Sequence, residues 1–333
     1  MAFSICFIGC GNHAAKVHGP SLVRYAREHE GVALAACCDI DGVRAVRFAR
    51  DFGFARTYSD IGEMLRAERP DAVGMAVPEA HTARLGAIVL RAGIPLLLEK
   101  PPGRTLEELH TLLEAQRHGG APASVAFNRR HAPLARALRQ RIAALPQGSV
   151  QCLLYDMLRV DRRDEDFSTT AIHAIDAVGH LLGLGYREVR FHYQPLPHIG
   201  PTVTNVYLDC TMHGGVVARI NLCPVAGVLA ERVQVHAQDH SLFLQLPLWQ
   251  GPDAPGRLTH LVRDQAVLDA SGEHICDGPE MFETDGFYDE TRSFYEAVRA
   301  GQMPGNPLGS AAQAVEIAQC IRERRDIFIE TRM

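Results

Sequence analysis

Lysine is nearly absent from this chain of 333 residues, so the two that remain are the first candidates for chemistry. Of the 34 basic residues, only Lys16 and Lys100 are lysine. Biased coding could leave two at random, but arginine cannot replace a compact ammonium whose pKa responds to burial. Lys100 follows Glu99 at the end of an apolar run, and Pro101 stops the predicted strand there. Its ammonium could polarise a hydroxyl or carbonyl oxygen. The alternative is a surface lysine paired with Glu99.

Four polar side chains share one face of a helix predicted over Ser168–Leu182. Thr169, His173, Asp176 and His180 stand at positions i, i+4, i+7 and i+11. His173 is a natural proton carrier, and the alternative is a histidine packed in the core. His173 and His180 are seven residues apart, about 10.5 Å of helix rise, which is too far to share one ion. We therefore expect no metal site.

A glycine-rich loop follows the first predicted strand, with the sequence Gly-Cys-Gly-Asn-His-Ala from Gly9 to Ala14. This matches the pattern G-x-G-x-x-G/A, in which the first glycine permits a tight turn and the second lets the backbone approach a pyrophosphate. The following helix would direct its N-terminus at the phosphates. We expect Gly9, Gly11, Asn12 and His13 to bind a dinucleotide; a turn without a ligand is the alternative.

Asp39 ends the second predicted strand, 25 residues beyond Ala14. A carboxylate at this spacing can accept hydrogen bonds from the 2′-hydroxyl of the adenosine ribose, and it would repel a 2′-phosphate. The sequence therefore favours NAD over NADP. Arg44 is the residue that could soften this preference.

Short apolar runs alternate with helical stretches from residue 3 to about residue 126, a pattern typical of βαβ units and a parallel sheet. Thr105 and Glu108 have the spacing of a capping box and predict a helix start. The predicted strands are Phe3–Ile8, Val32–Cys38, Ala72–Val77, Pro95–Leu98 and Ser124–Phe127, and the predicted helices are Val43–Asp51, Ala80–Ala92 and Thr105–His118.

The alternation of strands and helices ends after about residue 128, where several predicted strands follow one another without helices between them. Short turns such as His213-Gly214-Gly215 indicate antiparallel pairing. We therefore predict an α/β protein with two domains. Residues 1–122 form an N-terminal Rossmann domain with a parallel sheet. Residues 123–333 form a C-terminal α/β domain with an open, mainly antiparallel sheet for substrate binding and oligomerisation.

Composition excludes several classes of partner. The formal net charge is −5 and no basic block occurs, which argues against nucleic acid and anionic lipid. No apolar run reaches the roughly 18 residues of a spanning helix. Nine cysteines without C-x-x-C spacing, and no signal peptide, indicate a reducing, cytoplasmic setting.

Taken together, the motifs resemble the glucose-fructose oxidoreductase, inositol dehydrogenase and rhizopine-catabolism (Gfo/Idh/MocA) family. Each motif is short, but their order and spacing are specific. They are Gly9-Cys10-Gly11 with His18, Asp39, Val77-Pro78 with His81, Glu99-Lys100-Pro101, Phe127-Asn128-Arg129-Arg130, and His173 with Asp176.

The resemblance implies NAD(P)-linked oxidation or reduction of a sugar, cyclitol or related polyol by a homodimer or homotetramer. It assigns catalysis to Lys100 and His173. Family members commonly carry an aspartate four residues before the histidine, where this chain has Thr169, so the proton would move through His173, Lys100 or a carboxylate of residues 164–166. The implied substrate-binding residues are Asn128, Arg129, Thr169 and Asp176, and the further cofactor-binding residues are Pro78, His81 and Glu99.

Three hypotheses for function remain at this point. The first is an NAD-dependent oxidoreductase in which Lys100 polarises the substrate oxygen and His173 relays the proton. The second is a dinucleotide- or sugar-sensing regulator that has lost its chemistry together with the aspartate. The third is an enzyme that holds NAD tightly and performs a net non-redox reaction on a sugar.

Overall fold

The computed structural model describes residues 2–330 and contains two compact units. The first comprises the residues up to Asn128 together with Phe287–Val315, and the second comprises Arg129–Gly286 together with the residues from Glu316 onward. Sequence analysis placed residues 287–315 in the second domain, whereas the structure packs this segment with the first unit. No helix among residues 2–330 is long and apolar enough to cross a membrane.

The first unit is built on a parallel sheet of six strands in the order β3-β2-β1-β4-β5-β6. The central strands are continuous apolar runs because helices cover both faces of such a sheet; every residue of β4, β5 and β6 is buried. The predicted Rossmann sheet is confirmed. Its strands are β1 (Phe3–Ile8), β2 (Val32–Cys38), β3 (Arg56–Tyr58), β4 (Ala72–Met75), β5 (Leu96–Glu99) and β6 (Ala123–Ala126).

Side-chain caps fix where the helices between these strands begin. Asp41 and Asp60 accept backbone N–H groups at the starts of α2 and α3. Thr105 accepts the N–H of Glu108 at 3.1 Å, but Glu108 accepts from Arg104 rather than completing the predicted capping box. A short π-helical turn (Ala14–His18) precedes α1 (Gly19–Glu28), followed by α2 (Gly42–Phe52), α3 (Ile61–Glu68), α4 (Glu79–Arg91) and α5 (Leu106–Gly119).

The second unit is built on a mixed sheet of nine strands in the order β14-β13-β12-β11-β7-β10-β9-β8-β15. Only β7 and β10 pair in parallel, and the predicted turn His213–Gly215 joins the antiparallel β9 and β10. The mainly antiparallel sheet is thus confirmed. Its strands are β7 (Val150–Leu158), β8 (Tyr186–Pro195), β9 (Thr204–Met212), β10 (Val217–Cys223), β11 (Ala230–Ala237), β12 (His240–Leu246), β13 (Arg257–Val262), β14 (Gln265–Ser271) and β15 (Ile327–Ile329).

Helices pack on one face of this second sheet. The sequence of α7 is apolar almost all round and 11 of its 15 residues are buried, as expected of a helix enclosed by its own unit. The remaining helices are α6 (Pro133–Ala143), α7 (Ser168–Leu182), α8 (Met281–Thr284), α9 (Phe287–Arg299) and α10 (Ala312–Arg322).

Helix α9 belongs to the first unit because its aromatic face packs against α1 and β1. The guanidinium of Arg24 lies 4.0 Å from the ring centre of Tyr288, whose hydroxyl donates to Glu28. Tyr295 meets the ring of Phe3 edge to face at 6.4 Å. The order of strands and helices along the chain does not show that α9 packs with the first unit. This packing depends on which apolar surfaces contact each other.

Candidate functional site

The glycine-rich loop has the backbone geometry that its sequence predicts. Gly9 adopts φ +89°, and a Cβ there would lie 2.1 Å from the carbonyl oxygen of Ala76, so only glycine fits. A Cβ on Gly11, by contrast, would meet nothing within 4 Å. The loop therefore packs closely on the protein at Gly9 and is open at Gly11, where a pyrophosphate could approach the backbone.

Asp39 connects this loop to the end of β2. Its Oδ2 accepts the N–H of Cys10 at 2.8 Å and its Oδ1 accepts the N–H of Asp41 at 2.9 Å. A carboxylate has about four acceptor sites, so both oxygens can still accept a further hydrogen bond. The guanidinium of Arg44 lies 3.8 Å from Oδ2 with its side chain half exposed, so a cation stands beside the predicted ribose-binding acid.

Glu99, the last residue of β5, lies at the centre of a histidine cluster. Its Oε1 accepts from Nε2 of His18 at 2.8 Å and from Nε2 of His13 at 3.0 Å. Burial alone would raise the pKa of the Glu99 carboxyl, but His13 and His18 hold it well below its usual value. Sequence analysis did not place His18 in the site. His18 does occur in one of the motifs on which the family resemblance rests, and this was the available signal. Its contact with Glu99 could not be predicted from that motif, because the contact depends on the order of the strands in the sheet.

The other residues predicted in this unit come from separate segments of the chain. Lys100 is half-buried, and its backbone N–H donates to Glu99 Oε2 at 3.1 Å. Asn12 is exposed in the glycine-rich loop. Pro78 and His81 are exposed at the start of α4, where Pro78 occupies the cap position. Asn128 is buried in the turn after β6.

In the second unit, Asp176 is held by an ion pair. The Arg130 guanidinium donates from Nε to Oδ2 at 2.8 Å and from Nη2 to Oδ1 at 2.5 Å, a bidentate arrangement that fixes the carboxylate. Burial raises the pKa of Asp176, and Arg130 opposes that rise. Two of its acceptor sites are therefore used within the unit.

His173 is buried next to an arginine. Nη1 of Arg129 lies 3.4 Å from Nε2 of His173, a position from which the guanidinium can donate to that nitrogen when it carries no hydrogen. Thr169 is half-buried one turn earlier, and its hydroxyl donates to the carbonyl of Asp166 at 3.3 Å. Burial and Arg130 lower the pKa of His180 to about 3, which keeps that ring neutral.

Arg129 is part of a buried charge cluster that sequence analysis missed. It donates to both oxygens of Glu231, at 2.8 Å and 3.2 Å, and Tyr155 and Arg159 donate to the same carboxylate. Burial alone would raise the pKa of Glu231, but the two guanidiniums lower it to about 2. A signal was present: Glu231 shares the inward face of β11 with Val233 and Val235, where a lone charge requires a partner.

Asp285 is a second buried acid of this unit, and its Oδ2 accepts the backbone N–H of Trp249 at 2.9 Å. Burial raises the pKa of Asp285 to about 7. This carboxyl is therefore partly protonated near neutral pH.

Residues 3–127 match the family model GFO_IDH_MocA, described as oxidoreductase family, NAD-binding Rossmann fold. This matching region, 125 of the 333 residues, is similar to the Gfo/Idh/MocA oxidoreductase family. The match covers the glycine-rich loop, Asp39, Glu99 and Lys100, so it includes the predicted cofactor side of the site.

Two curated dehydrogenases are similar to this chain over part of their length. The chain is 30% identical to D-apiose dehydrogenase of Paraburkholderia graminis over 43% of this chain and 38% of that protein. It is 29% identical to D-glucoside 3-dehydrogenase of Escherichia coli over 41% of this chain and 38% of that protein. The aligned part of this chain thus spans about two fifths of the length of these relatives.

The fold is shared with solved structures. A structure of levoglucosan dehydrogenase in complex with NADH and L-sorbose superposes with a TM-score of 0.84, at 17% sequence identity and over 100% of both chains. At this identity the likeness establishes the fold, and the residues that select a substrate have to be argued from this chain itself.

Proposed function

We propose that this protein is an oxidoreductase that transfers a hydride between NAD and a secondary alcohol or ketone of a sugar, cyclitol or related polyol. The observation that carries the proposal is the glycine-rich loop, closed against Ala76 at Gly9, open at Gly11, and connected to Asp39 through the N–H of Cys10. The names of the relatives, which are dehydrogenases of apiose, glucosides and inositol, support the substrate class.

The residues present fit a nicotinamide dinucleotide. Gly9, Gly11, Asn12 and His13 would hold the pyrophosphate, Asp39 the adenosine ribose, and Pro78, His81 and Glu99 the nicotinamide half. The bound nicotinamide supplies or accepts the hydride. A carboxylate at Asp39 favours the 2′-hydroxyl of NAD, while Arg44 beside it offers a cation to a 2′-phosphate, so binding of NAD and NADP should be measured in parallel.

Proton transfer is assigned to this chain's own side chains. The ammonium of Lys100 donates a hydrogen bond to the substrate oxygen and favours its negative charge as the proton leaves. His173 is proposed to relay that proton. Asn128, Arg129, Thr169 and Asp176 are proposed to bind substrate hydroxyls. Arg130 and Glu231 hold Asp176 and Arg129 in fixed positions for this task.

Replacing Lys100 tests the assignment. In Lys100→Met and Lys100→Arg, we expect loss of turnover of any polyol or keto-sugar that the wild type converts, with NADH binding by fluorescence unchanged. Lys16→Met is the matched control, because it removes the other lysine from an exposed position and should keep full turnover. Unchanged turnover in either Lys100 variant would refute the assignment.

Thr169 favours a second candidate, a dinucleotide- or sugar-sensing regulator, because threonine cannot act as a general acid at neutral pH. That function requires NAD binding without conversion of any polyol, sugar lactone or keto-sugar in a purified-protein screen. Nicotinamide absorbance in freshly purified protein would instead favour the tightly bound cofactor of a net non-redox enzyme.

We also propose a homo-oligomer in the cytoplasm. One face of the nine-stranded sheet packs against α6 and α7, while alternate residues of β7, β9 and β10 on the other face remain partly or fully exposed. Light scattering of the purified chain would show a dimer or tetramer mass if this face joins copies.

A further inference from the structure

The cluster of His13, His18 and Glu99 brings three potential metal ligands together within the first unit. The Nε2 atoms of the two histidines and an Oε atom of Glu99 all lie within 4.8 Å of one another. Among residues 2–330, this is the one group of three or more histidine, cysteine, aspartate or glutamate side chains with such convergence. We infer that it is a binding site for one divalent cation of the zinc type, which favours imidazole and carboxylate ligands.

The distances within the cluster are close to those that a cation requires. Zn–N and Zn–O bonds near 2.0–2.2 Å in a tetrahedron place neighbouring ligand atoms about 3.3 Å apart. The observed separations from Glu99 Oε1 are 2.8 Å to His18 and 3.0 Å to His13. Small side-chain rotations therefore create the site. On binding, each Nε2 gives up the hydrogen that now faces the carboxylate, and each neutral ring carries its one hydrogen on Nδ1.

The scaffold around the ligands is already rigid. Glu99 ends a fully buried strand, and its second oxygen accepts the N–H of Lys100, which orients the carboxylate as outer-shell partners do at metal sites. The ring of His18 is 5.5 Å from that of Phe7 and 6.1 Å from that of Phe287. These aromatic rings limit how far the imidazole can turn away from the cation.

Exposure of His13 provides the route of entry. Its side chain is 41% exposed, whereas those of His18 and Glu99 are 5% and 9% exposed. A cation can thus reach the buried pair from the His13 side. Three protein ligands leave one coordination position for water or another small ligand, which is the arrangement of exchangeable zinc sites.

The helix face of the second unit does not offer an equivalent site. Asp176 is occupied by Arg130 and His173 by Arg129, and both guanidiniums would repel a cation. The expectation of no metal site rested on the spacing of this helix alone. The inferred cluster in the first unit departs from that expectation, because its ligands come from three separate positions of the chain.

Because His13 and Glu99 are also proposed to hold the dinucleotide, metal titration of the full-length protein tests the inference in the absence of NAD and substrate. After chelator treatment, we expect calorimetry with Zn²⁺ to show one equivalent bound, and Co²⁺ in its place to show the visible absorption of a four-coordinate ion. His13→Ala, which alters a partly exposed ring, should weaken Zn²⁺ binding by at least about 10-fold and abolish the cobalt spectrum. Glu99→Gln should weaken binding as well.

His118→Gln is the matched control, since His118 is exposed on α5 and should leave affinity unchanged. Thermal unfolding of each variant verifies that it is folded before titration. Absence of stoichiometric binding to the wild type would overturn the inference. Equal affinity of wild type and His13→Ala would also overturn it, because the ion would then be bound by other residues.

Discussion

At the scale of single residues, the second unit depends on buried charges that are satisfied only as a group. Glu231 is fully buried and faces two guanidiniums and a phenol. Removing one partner of such a group costs more than the group contributes, because the remaining charges stay desolvated. The cluster also keeps Arg129 against His173, so its integrity affects a proposed catalytic ring.

Glu231→Gln is expected to destabilise the protein by about 3–5 kcal/mol, since Arg129 and Arg159 would be left buried without a counter-charge. Urea unfolding monitored by circular dichroism measures the change. Asp209→Asn breaks the partly exposed pair with Arg219 on neighbouring strands and should cost less than about 1 kcal/mol. Equal effects of the two substitutions would show that Glu231 has no special role.

Asp285 should make stability depend on pH. Its pKa is about 7 in the folded protein, raised by burial, against an ordinary value of 3.8. Between these two values the folded state keeps a proton that the unfolded state releases, so the free energy of unfolding falls as pH rises through this window and levels off above it.

Asp285→Asn removes this titration while its amide oxygen can still accept from Trp249. We expect the wild type to lose more stability than the variant between roughly pH 5 and roughly pH 8, as measured by urea unfolding. Asp277→Asn, exposed in a nearby loop, should behave like the wild type. Parallel pH curves for wild type and Asp285→Asn would contradict the assignment.

At the scale of elements, two glycines of the glycine-rich loop are expected to have different roles. Gly9 is required for folding, and Gly11 is required for ligand binding. Gly9→Ala places a methyl group against the carbonyl of Ala76 at a positive φ, so we expect a loss of about 1–3 kcal/mol in stability and loss of NAD binding. Gly11→Ala meets open space, so stability should remain while NAD affinity falls at least about 10-fold, or 1.4 kcal/mol.

Thermal unfolding and NAD titration of both variants measure these effects. Wild-type NAD affinity in Gly11→Ala would show that no phosphate approaches this backbone. A stable Gly9→Ala protein would show that the turn can rearrange.

Helices and strands with a strong hydrophobic pattern were predictable from the sequence, and those with a weak pattern were not. The prediction of α7 matches Ser168–Leu182, and β1 and β2 have the predicted bounds, because long apolar runs or helical periods define them. Strands β3, β13, β14 and β15 were not predicted. The three-residue strands β3 and β15 and the largely exposed edge strand β14 bury too little to show alternation.

The partners of site residues were harder to predict for a different reason. Arg129 and Glu231 are 102 positions apart, and His13 and Glu99 are 86 positions apart. The sequence shows that Glu231 needs a partner, but which residue supplies it depends on strand order and on the register of β7 and β11. Local motifs therefore predicted the glycine-rich loop and singled out Lys100, whose role stays a prediction, while the charge cluster required the tertiary structure.

At the scale of the whole molecule, the first unit is discontinuous in sequence. Residues 1–128 alone would lack α9 and expose the aromatic surface of α1 and β1 that it covers. We expect this fragment to aggregate or show no cooperative thermal transition. Residues 1–128 joined to 287–315 by a flexible linker should unfold cooperatively. A cooperative transition in the shorter fragment would show that α9 is dispensable.

The same discontinuity constrains the order in which a nascent chain can fold. Because Val315 closes the first unit, the ribosome must synthesise the chain through Val315 before that unit can complete its packing. The residues of Arg129–Gly286 leave the exit tunnel earlier, while the aromatic surface awaiting α9 is still uncovered. During synthesis, the segment up to Asn128 is therefore the part that most needs chaperone protection.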